Sequence, residues 1–464
     1  MDIKYPNSKK IPTVISAFHH VPIEISSDRT LLSSLIVLPQ NDGYWSSLLK
    51  GVKRIRRWSI PLMMNFVWVV VTMFLTIVGS FASVPPGDVG YGTVALWLFL
   101  LPLIIGWLHV GSEPEPNHLR ECLETASALA WVASDKKDCP MLAEDVPGQQ
   151  ALAIEFEKAY HVPPAGRDEL NTTPIFNYSR VFTWSQKAEL VLELVKNANS
   201  NARRRIAVGS LGSGGDSAWV KAESGSIAHE NRAGTADQVA QYCKMVYRPL
   251  KPDIPDTPSL RLSGTPSITS QSLQPDEHEP CDDPSRWATG VWGRVVLATA
   301  LALFLQWGTT GGAIIIHYWA HPVGLGCRSF SFLMFTVLST TSFFFFLASS
   351  ILAHLSRPPP GKTDPRRRLR VFSRGAVLCR RLGKAVAIIS ALTVLLVCLF
   401  QSAGAFDICW CSSTTFDRGR VAVFHTTNYL TKTISKFWIG GLVMASSVAF
   451  LFGLSIYVGT PPHR

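Results

Sequence analysis

Long apolar runs separated by polar segments dominate the hydropathy pattern of this chain. The two clearest runs cover residues 295–319 and 330–355, on either side of a turn at 321–328. Each run exceeds the ~20 apolar residues that cross a bilayer, and neither contains Asp, Glu, Lys or Arg. The pattern predicts an all-α, polytopic integral membrane protein with about six transmembrane helices and a mainly helical cytosolic insert. The other four predicted spans are 58–84, 92–110, 385–406 and 437–458.

The long polar region between the second and third runs shows helical periodicity. Apolar positions recur at helical spacing in 117–134, 149–160, 185–197 and 235–247, and Thr235 is a candidate N-cap. Few aromatic residues are available in this region to close a core, so we expect these amphipathic helices to pack on each other or to lie on the membrane surface. The following segment is rich in Pro, Ser and Asp, which is typical of a disordered linker.

The charge distribution predicts which side of the membrane each segment occupies. The net charge is +11, and only 17% of the residues are charged. Lys and Arg are concentrated just before the first span and in 356–384, and such connections stay cytosolic. These patterns divide the chain into a cytosolic N-terminal region (1–57), a transmembrane hairpin (58–111), a cytosolic helical region (112–248), a disordered linker (249–290), a central transmembrane hairpin (291–355), a basic cytosolic loop (356–384), spans five and six (385–458) with an outward loop (407–436), and a cytosolic tail (459–464).

The same charges bear on localisation and partners. Both termini are predicted to be cytosolic, in the plasma membrane or an endomembrane, and the lipid bilayer is the first partner. The basic clusters lack interleaved aromatic residues and abut apolar runs, so we expect no nucleic-acid binding. Protein partners are expected to bind through 112–290.

Uncharged polar residues and glycines mark the interior of the predicted spans. Gly308 and Gly312 have the small-xxx-small spacing that lets two membrane helices approach closely. A Gln in hydrocarbon needs a hydrogen-bond partner on a neighbouring helix. The predicted midplane polar cluster consists of Asn65, Gln306, Thr309, Thr310 and Gln401.

The predicted outward loops carry three cysteines on the oxidising side of the membrane. We expect Cys327 to form a disulfide with Cys409 or Cys411, the alternative being that the last two serve as small packing residues. His317 and His321 lie four positions apart, but a metal would need a third ligand, and polar residues at a membrane interface explain them better. The sequence indicates no metal site, no cofactor and no catalytic constellation, and it leaves open whether the protein is an enzyme.

Four segments of the chain resemble a group of uncharacterised polytopic membrane proteins from filamentous fungi. The resemblance implies a lineage and a membrane architecture, and it implies no activity. The segments are Gln306-Trp-Gly-Thr-Thr-Gly-Gly-Ala-Ile-Ile-Ile316, Val323-Gly-Leu-Gly-Cys-Arg-Ser329, Asp407-Ile-Cys-Trp-Cys-Ser412 and Phe176-Asn-Tyr-Ser-Arg-Val-Phe-Thr-Trp-Ser185.

Two functional hypotheses follow from these patterns. The first is a non-enzymatic membrane protein that assembles with partners, senses, or has a structural role. The second is a channel or uncoupled transporter whose path runs near the glycine-rich break in the third span. Coupled transporters place titratable groups near the midplane, and the predicted spans contain none, which favours the first hypothesis.

Overall fold

The structure is a computed structural model that describes part of the chain. The described residues are 5–20, 23–25, 29–54, 67, 71, 74, 98, 100, 102, 116–134, 140–145, 154–156, 179–211, 218–221, 227–244, 287–319, 322–356, 366–403, 405–419 and 427–459. Almost all of the first two predicted spans and most of the predicted linker therefore lie outside the described residues.

The described part of the chain is mainly helical. Its α-helices are α1 (Lys10–Ala17), α2 (Arg29–Val37), α3 (Asp42–Arg54), α4 (Pro116–Ser127), α5 (Ser179–Arg203), α6 (Ala236–Lys244), α7 (Val291–Trp319), α8 (Cys327–Leu355), α9 (Arg366–Ser402), α10 (Cys409–Ser413) and α11 (Thr427–Gly459). Its strands are β1 (Ile23–Ile25), β2 (Trp131–Val132), β3 (Met141–Leu142) and β4 (Ile154–Phe156).

Residues 5–54 and 116–244 build one hydrophobic core, which we call the folded domain. The N-terminal region contributes four buried aromatic side chains to this core, Tyr5, Phe18, Tyr44 and Trp45, and the insert contributes Tyr242. The indole N–H of Trp45 donates to the carbonyl of Leu35 at 2.8 Å, so the buried ring keeps its hydrogen bond. The polar insert has few aromatic residues of its own. The N-terminal region, which precedes the first two predicted spans in the sequence, therefore supplies most of the aromatic side chains of this core.

Two of the helices predicted in the insert give way to strands. The prediction of a helix over 149–160 is wrong, because β4 within it pairs antiparallel with β1. The helix predicted over 117–134 ends at Ser127 and is followed by β2. The side chain of Asn41 holds the backbone of Trp131 outside the helix. It accepts a hydrogen bond from the N–H of Trp131 at 2.8 Å and donates one to the carbonyl of Trp131 at 2.9 Å. Tertiary contacts thus override the helical periodicity.

The other two predicted helices are present. The segment 185–197 lies inside α5, and α6 occupies most of 235–247. The hydroxyl of Thr235 accepts from the N–H of Gln238 at 3.4 Å, and the Gln238 side chain accepts from the N–H of Thr235 at 3.0 Å. This reciprocal pair is a capping box, so Thr235 acts as the predicted N-cap.

Helices α7, α8, α9 and α11 form the helix bundle. Three described segments are long and apolar enough to cross a membrane, namely Val291–Trp319, Cys327–Leu355 and Lys436–Val458. Helix α8 pairs with α9, and α7 pairs with both α11 and α8. Most of the basic segment predicted as a loop is helical, because α9 begins at Arg366 and continues without a break to Ser402. Arg, Leu, Ala and Lys are good helix formers, which accounts for the extension.

Candidate functional site

Glycines bring α7 and α11 into close contact. A Cβ placed on Gly308 would lie 2.6 Å from the side chain of Val448, and one on Gly312 would lie 3.1 Å from the Cβ of Ala445. The partner helix also carries small residues four apart, Gly441 and Ala445. The predicted packing residues therefore lie in a helix interface that no larger side chain fits without displacement.

The structure brings Gln306 together with hydroxyl groups from two other helices. Its side-chain amide lies 3.4 Å from the Thr310 hydroxyl and 3.5 Å from that of Ser339, which lies 3.1 Å from the hydroxyl of Ser390. Thr309 of α7 is also buried, and its hydroxyl donates to the carbonyl of Leu305 in the same helix. This polar row connects α7, α8 and α9 through uncharged groups.

For two residues of the predicted midplane cluster the structure describes no side chain. Asn65 lies outside the described residues, and for Gln401 only the backbone, in α9, belongs to the described part. Thr310, one of the partners found for Gln306, belongs to the predicted cluster, but Ser339 and the neighbouring Ser390 do not. Their signal in the sequence was weak, because serine is common in membrane helices and only the pairing of α8 with α9 selects Ser339 and Ser390.

A disulfide ties the turn between α7 and α8 to the connection between α9 and α11. The bond joins Cys327 to Cys411, with their Cα atoms 5.5 Å apart. The carboxylate of Asp417 accepts from the N–H of Leu325 at 2.7 Å and from the Tyr318 hydroxyl at 2.8 Å. Burial raises the pKa of Asp417, but these hydrogen bonds outweigh it and hold the pKa below its ordinary value. The backbone of Cys409 begins α10.

His317 is buried near the end of the bundle that carries the disulfide. Its ring stacks on Phe332 with a centroid distance of 4.8 Å, and neither ring nitrogen has a hydrogen-bond partner among the described residues. His321 lies outside the described residues, so the pair of histidines is not brought together there. No cluster of three His, Cys, Asp or Glu side chains that could hold a metal occurs within the described ranges.

An aromatic cluster joins the folded domain to the end of the helix bundle where α7 begins and α8 ends. We call Phe182, Trp287, Trp292 and His354 the junction cluster. The ring of Trp287 lies 4.4 Å from His354 and 4.8 Å from Trp292, and Phe182 packs edge-on against Trp287 at 5.3 Å. Phe182 is fully buried here with Ala288 and Val291. The cluster therefore fixes the start of α5 against α7 and α8.

A polar contact beside the junction cluster holds α5 to the start of α7. The carboxylate of Glu189 accepts a hydrogen bond from the N–H of Thr289 at 2.9 Å and a second from the Thr289 hydroxyl. Thr289 lies two positions before α7, so the carboxylate is near the N-terminus of that helix, where a negative charge is favourable. No local sequence pattern predicts this contact, because the two residues are 100 positions apart.

The same helix continues from the junction into the core of the folded domain. Val191, Leu194 and Ala198 of α5 are buried in that core. Further along, Asn197 and Asn201 donate to the carbonyls of Cys243 and Tyr242 at 2.8 and 2.7 Å. These amides satisfy carbonyl groups at the end of α6. Helix α5 is thus one rigid element shared by the junction cluster and the domain core.

A buried arginine completes the core of the folded domain. Arg232 makes two hydrogen bonds to the carboxylate of Asp42, at 2.8 and 2.9 Å, and donates to the carbonyls of Val37 and Leu38 at the end of α2. Burial raises the pKa of Asp42, but the guanidinium of Arg232 outweighs it, and the pKa lies below its ordinary value. The arginine therefore links the N-terminal region to the insert.

Comparison with protein families, with curated proteins and with solved structures finds no match. The function has to be argued from the geometry described above.

Proposed function

We propose that this chain is a non-enzymatic, multi-pass membrane protein that assembles with protein partners and senses the state of its helix bundle through the folded domain. The observation that carries this proposal is the double role of α5. Phe182 and Glu189 hold its first half on the bundle, and its second half is buried in the domain core. A change in the packing of α7 or α8 would move α5 and with it the surface of the domain.

The proposal includes an orientation of the chain. Residues 5–54 and 116–244 share one core, and a single core forms on one side of a membrane. The chain would therefore cross the bilayer an even number of times between residues 54 and 116, in keeping with two spans. The basic half of α9 lies at the same end of the bundle as the junction cluster, and a strongly basic end stays in the cytosol. Six spans would leave both termini on that side.

Hydrogen exchange of the full-length protein in lipid nanodiscs tests the sensing role. Gly312→Ala perturbs the α7–α11 interface about 30 Å from the start of α7, at a rise of 1.5 Å per residue. We expect faster amide exchange in α5 and α6 than in the wild type, because the perturbation reaches the junction cluster along α7. In a Trp287→Ala background, which loosens the junction cluster, the same glycine substitution should leave exchange in α5 unchanged.

Gly440→Ala is the matched control, because no atom lies within 4 Å of a Cβ at that position. If Gly312→Ala speeds exchange in α7 and α11 while α5 and α6 keep their wild-type rates, bundle and domain are uncoupled and the sensing proposal is wrong.

A second candidate function is supported by the polar row of Gln306, Ser339 and Ser390. Three helices direct uncharged polar groups to one place in the bundle. Such a row could line the path of a channel or uncoupled transporter for a small neutral solute. The close contact of α7 with α11 favours the first function. Solute flux in vesicles, measured for the wild type and for Gln306→Leu, distinguishes the two functions.

A further inference from the structure

One face of α9 forms a continuous stripe that faces away from the rest of the described bundle. Positions on this face recur at alternating spacings of three and four, which keeps them on one side of a helix. In the membrane half the stripe consists of Ile388, Leu392, Leu395 and Leu399, whose side chains are between 52% and 64% exposed. Toward the folded domain the same stripe continues as Arg381, Leu378, Arg374 and Val371, all exposed.

The register of α9 against α8 places this basic end beside a membrane span. The hydroxyl of Ser342 donates to the carbonyl of Gly383 at 3.0 Å, and that of Ser349 donates to the carbonyl of Ala376 at 2.7 Å. Both serines belong to the apolar helix Cys327–Leu355, which is long enough to cross a membrane. By this register Arg374 lies beside the last turns of α8, where the bilayer core gives way to headgroups, and Arg381 lies about 10 Å deeper, beside the middle of that helix.

The bundle supplies no countercharge to these two arginines. Neither α8 nor α9 contains an Asp or Glu, and no acidic side chain forms an ion pair with Arg374 or Arg381 among the described residues. A guanidinium at this depth extends toward the interface and needs an anion there, since leaving it unpaired in a region of low dielectric is costly. Leu378 and Leu382 lie on the same outward side and offer apolar surface to acyl chains.

We infer that the exposed face of α9 between Val371 and Leu382 binds the headgroup of an anionic phospholipid in the leaflet next to the folded domain. Arg374 and Arg381 are two helical turns apart, about 10 Å along the axis. This spacing suits two phosphate groups of one polyphosphorylated headgroup, and guanidinium groups bind phosphate oxygens in a bidentate manner. The inference requires only that the bundle lies in a membrane, and it is independent of the sensing role.

The test uses full-length protein in neutral detergent, titrated with phosphatidylinositol 4,5-bisphosphate, phosphatidylserine or phosphatidylcholine, with bound lipid counted by native mass spectrometry. We expect wild-type protein to retain the bisphosphate lipid at least about tenfold more tightly than phosphatidylcholine. Each basic side chain near a lipid surface contributes about fivefold in affinity, so Arg374→Gln with Arg381→Gln should weaken retention about 30-fold. The charge-preserving pair Arg374→Lys with Arg381→Lys should keep most of it.

The matched control is Arg205→Gln with Lys221→Gln, which removes the same charge from exposed positions of the folded domain and should leave lipid retention unchanged. Equal retention of bisphosphate lipid and phosphatidylcholine by the wild type would overturn the inference, and this comparison requires no folded variant. Unchanged retention in the double glutamine variant would overturn it as well. So would tight binding of free inositol trisphosphate at the affinity of the lipid, because the site would then take a soluble phosphate.

Discussion

Gly312 and Gly441 face each other across the α7–α11 interface with their backbones almost in contact. A Cβ on Gly312 would lie 2.5 Å from the carbonyl oxygen of Gly441, and a Cβ on Gly441 would lie 2.8 Å from the carbonyl oxygen of Gly312. Backbone atoms cannot move aside as a flexible side chain can. The two helices therefore depend on glycine at both positions.

We expect Gly312→Ala and Gly441→Ala each to destabilise the bundle, by about 1 to 3 kcal/mol, because the added methyl group forces the helices apart. Gly440→Ala, one position away on α11 and facing open space, should be neutral within about 0.5 kcal/mol. Thermal unfolding in detergent, followed by tryptophan fluorescence, measures the difference. Equal melting temperatures for Gly441→Ala and Gly440→Ala would contradict the close packing.

Substitution of Arg232 should selectively destabilise the folded domain. In Arg232→Met the carbonyls of Val37 and Leu38 lose their donor and Asp42 loses its partner. Breaking a buried ion pair costs about 3 to 5 kcal/mol, and we expect the lower end because the Asp42 side chain is 37% exposed and can be rehydrated. Hydrogen exchange of the slowest amides in α2 and α6 reports the free energy of domain unfolding. The exposed control Lys221→Met should leave those amides at wild-type rates.

The stability of the folded domain should fall at acidic pH in a way that depends on Asp42. Its pKa is lower in the folded state than its ordinary value near 3.8, so the folded state binds fewer protons than the unfolded state there. The contribution is therefore complete above that value and is lost as the pH falls through and below it. Asp42→Asn should be less stable than the wild type at pH 7 and should show a shallower loss between pH 5 and pH 3. Parallel slopes for the two proteins would contradict this role of Asp42.

Cys411→Ser should destabilise the end of the bundle at the turn between α7 and α8, whereas Cys409→Ser should not. A native disulfide contributes about 2 to 4 kcal/mol, and the smaller value applies where spans already inserted in a bilayer restrict the chain. Peptide mapping without reductant should recover Cys327 and Cys411 as one linked species from wild-type protein and from Cys409→Ser. Recovery of Cys327 linked to Cys409 would show a different pairing.

Gln306→Leu distinguishes the two candidate functions. Under the sensing proposal it removes one weak interhelical hydrogen bond and should cost only about 1 kcal/mol. A channel lined by the polar row would instead lose solute flux in reconstituted vesicles while its melting temperature stayed unchanged. Thr393→Val is the control, because among the described residues the Thr393 hydroxyl bonds within its own helix, to the carbonyl of Ile389. Flux in the wild type that Gln306→Leu abolishes would replace the sensing proposal with the channel.

The fold could be predicted from the sequence where one physical requirement dominates. A bilayer requires long apolar helices, so the central hairpin and the last span could be predicted from apolar runs. The spacing of Gly308 and Gly312 indicated a close helix interface, which is that of α7 with α11. The disulfide could be narrowed to one of two partners for Cys327 but not decided between them, because Cys409 and Cys411 are only two positions apart. Local patterns sufficed for these features.

The rest depended on partners far away in the chain. The helix predicted over 117–134 ends early because Asn41, 90 positions away, captures the backbone of Trp131. The junction cluster combines Phe182 with Trp287 and His354, three residues that have no common motif. Trp287 and Trp292 also look like ordinary aromatic residues at a membrane interface, so their contact with α5 could not be distinguished from lipid contact in the sequence.

The two-part core of the folded domain also constrains how this protein is made. The ion pair of Asp42 with Arg232 cannot form until Arg232 is synthesised, 190 positions later in the chain. At about 5–20 residues per second, about 10 to 40 s separate the emergence of these two side chains from the ribosome. Throughout that interval Tyr44 and Trp45 have no finished core to enter. Nascent chains that stop before α6 should therefore depend on chaperones and be degraded quickly, whereas full-length chains should persist.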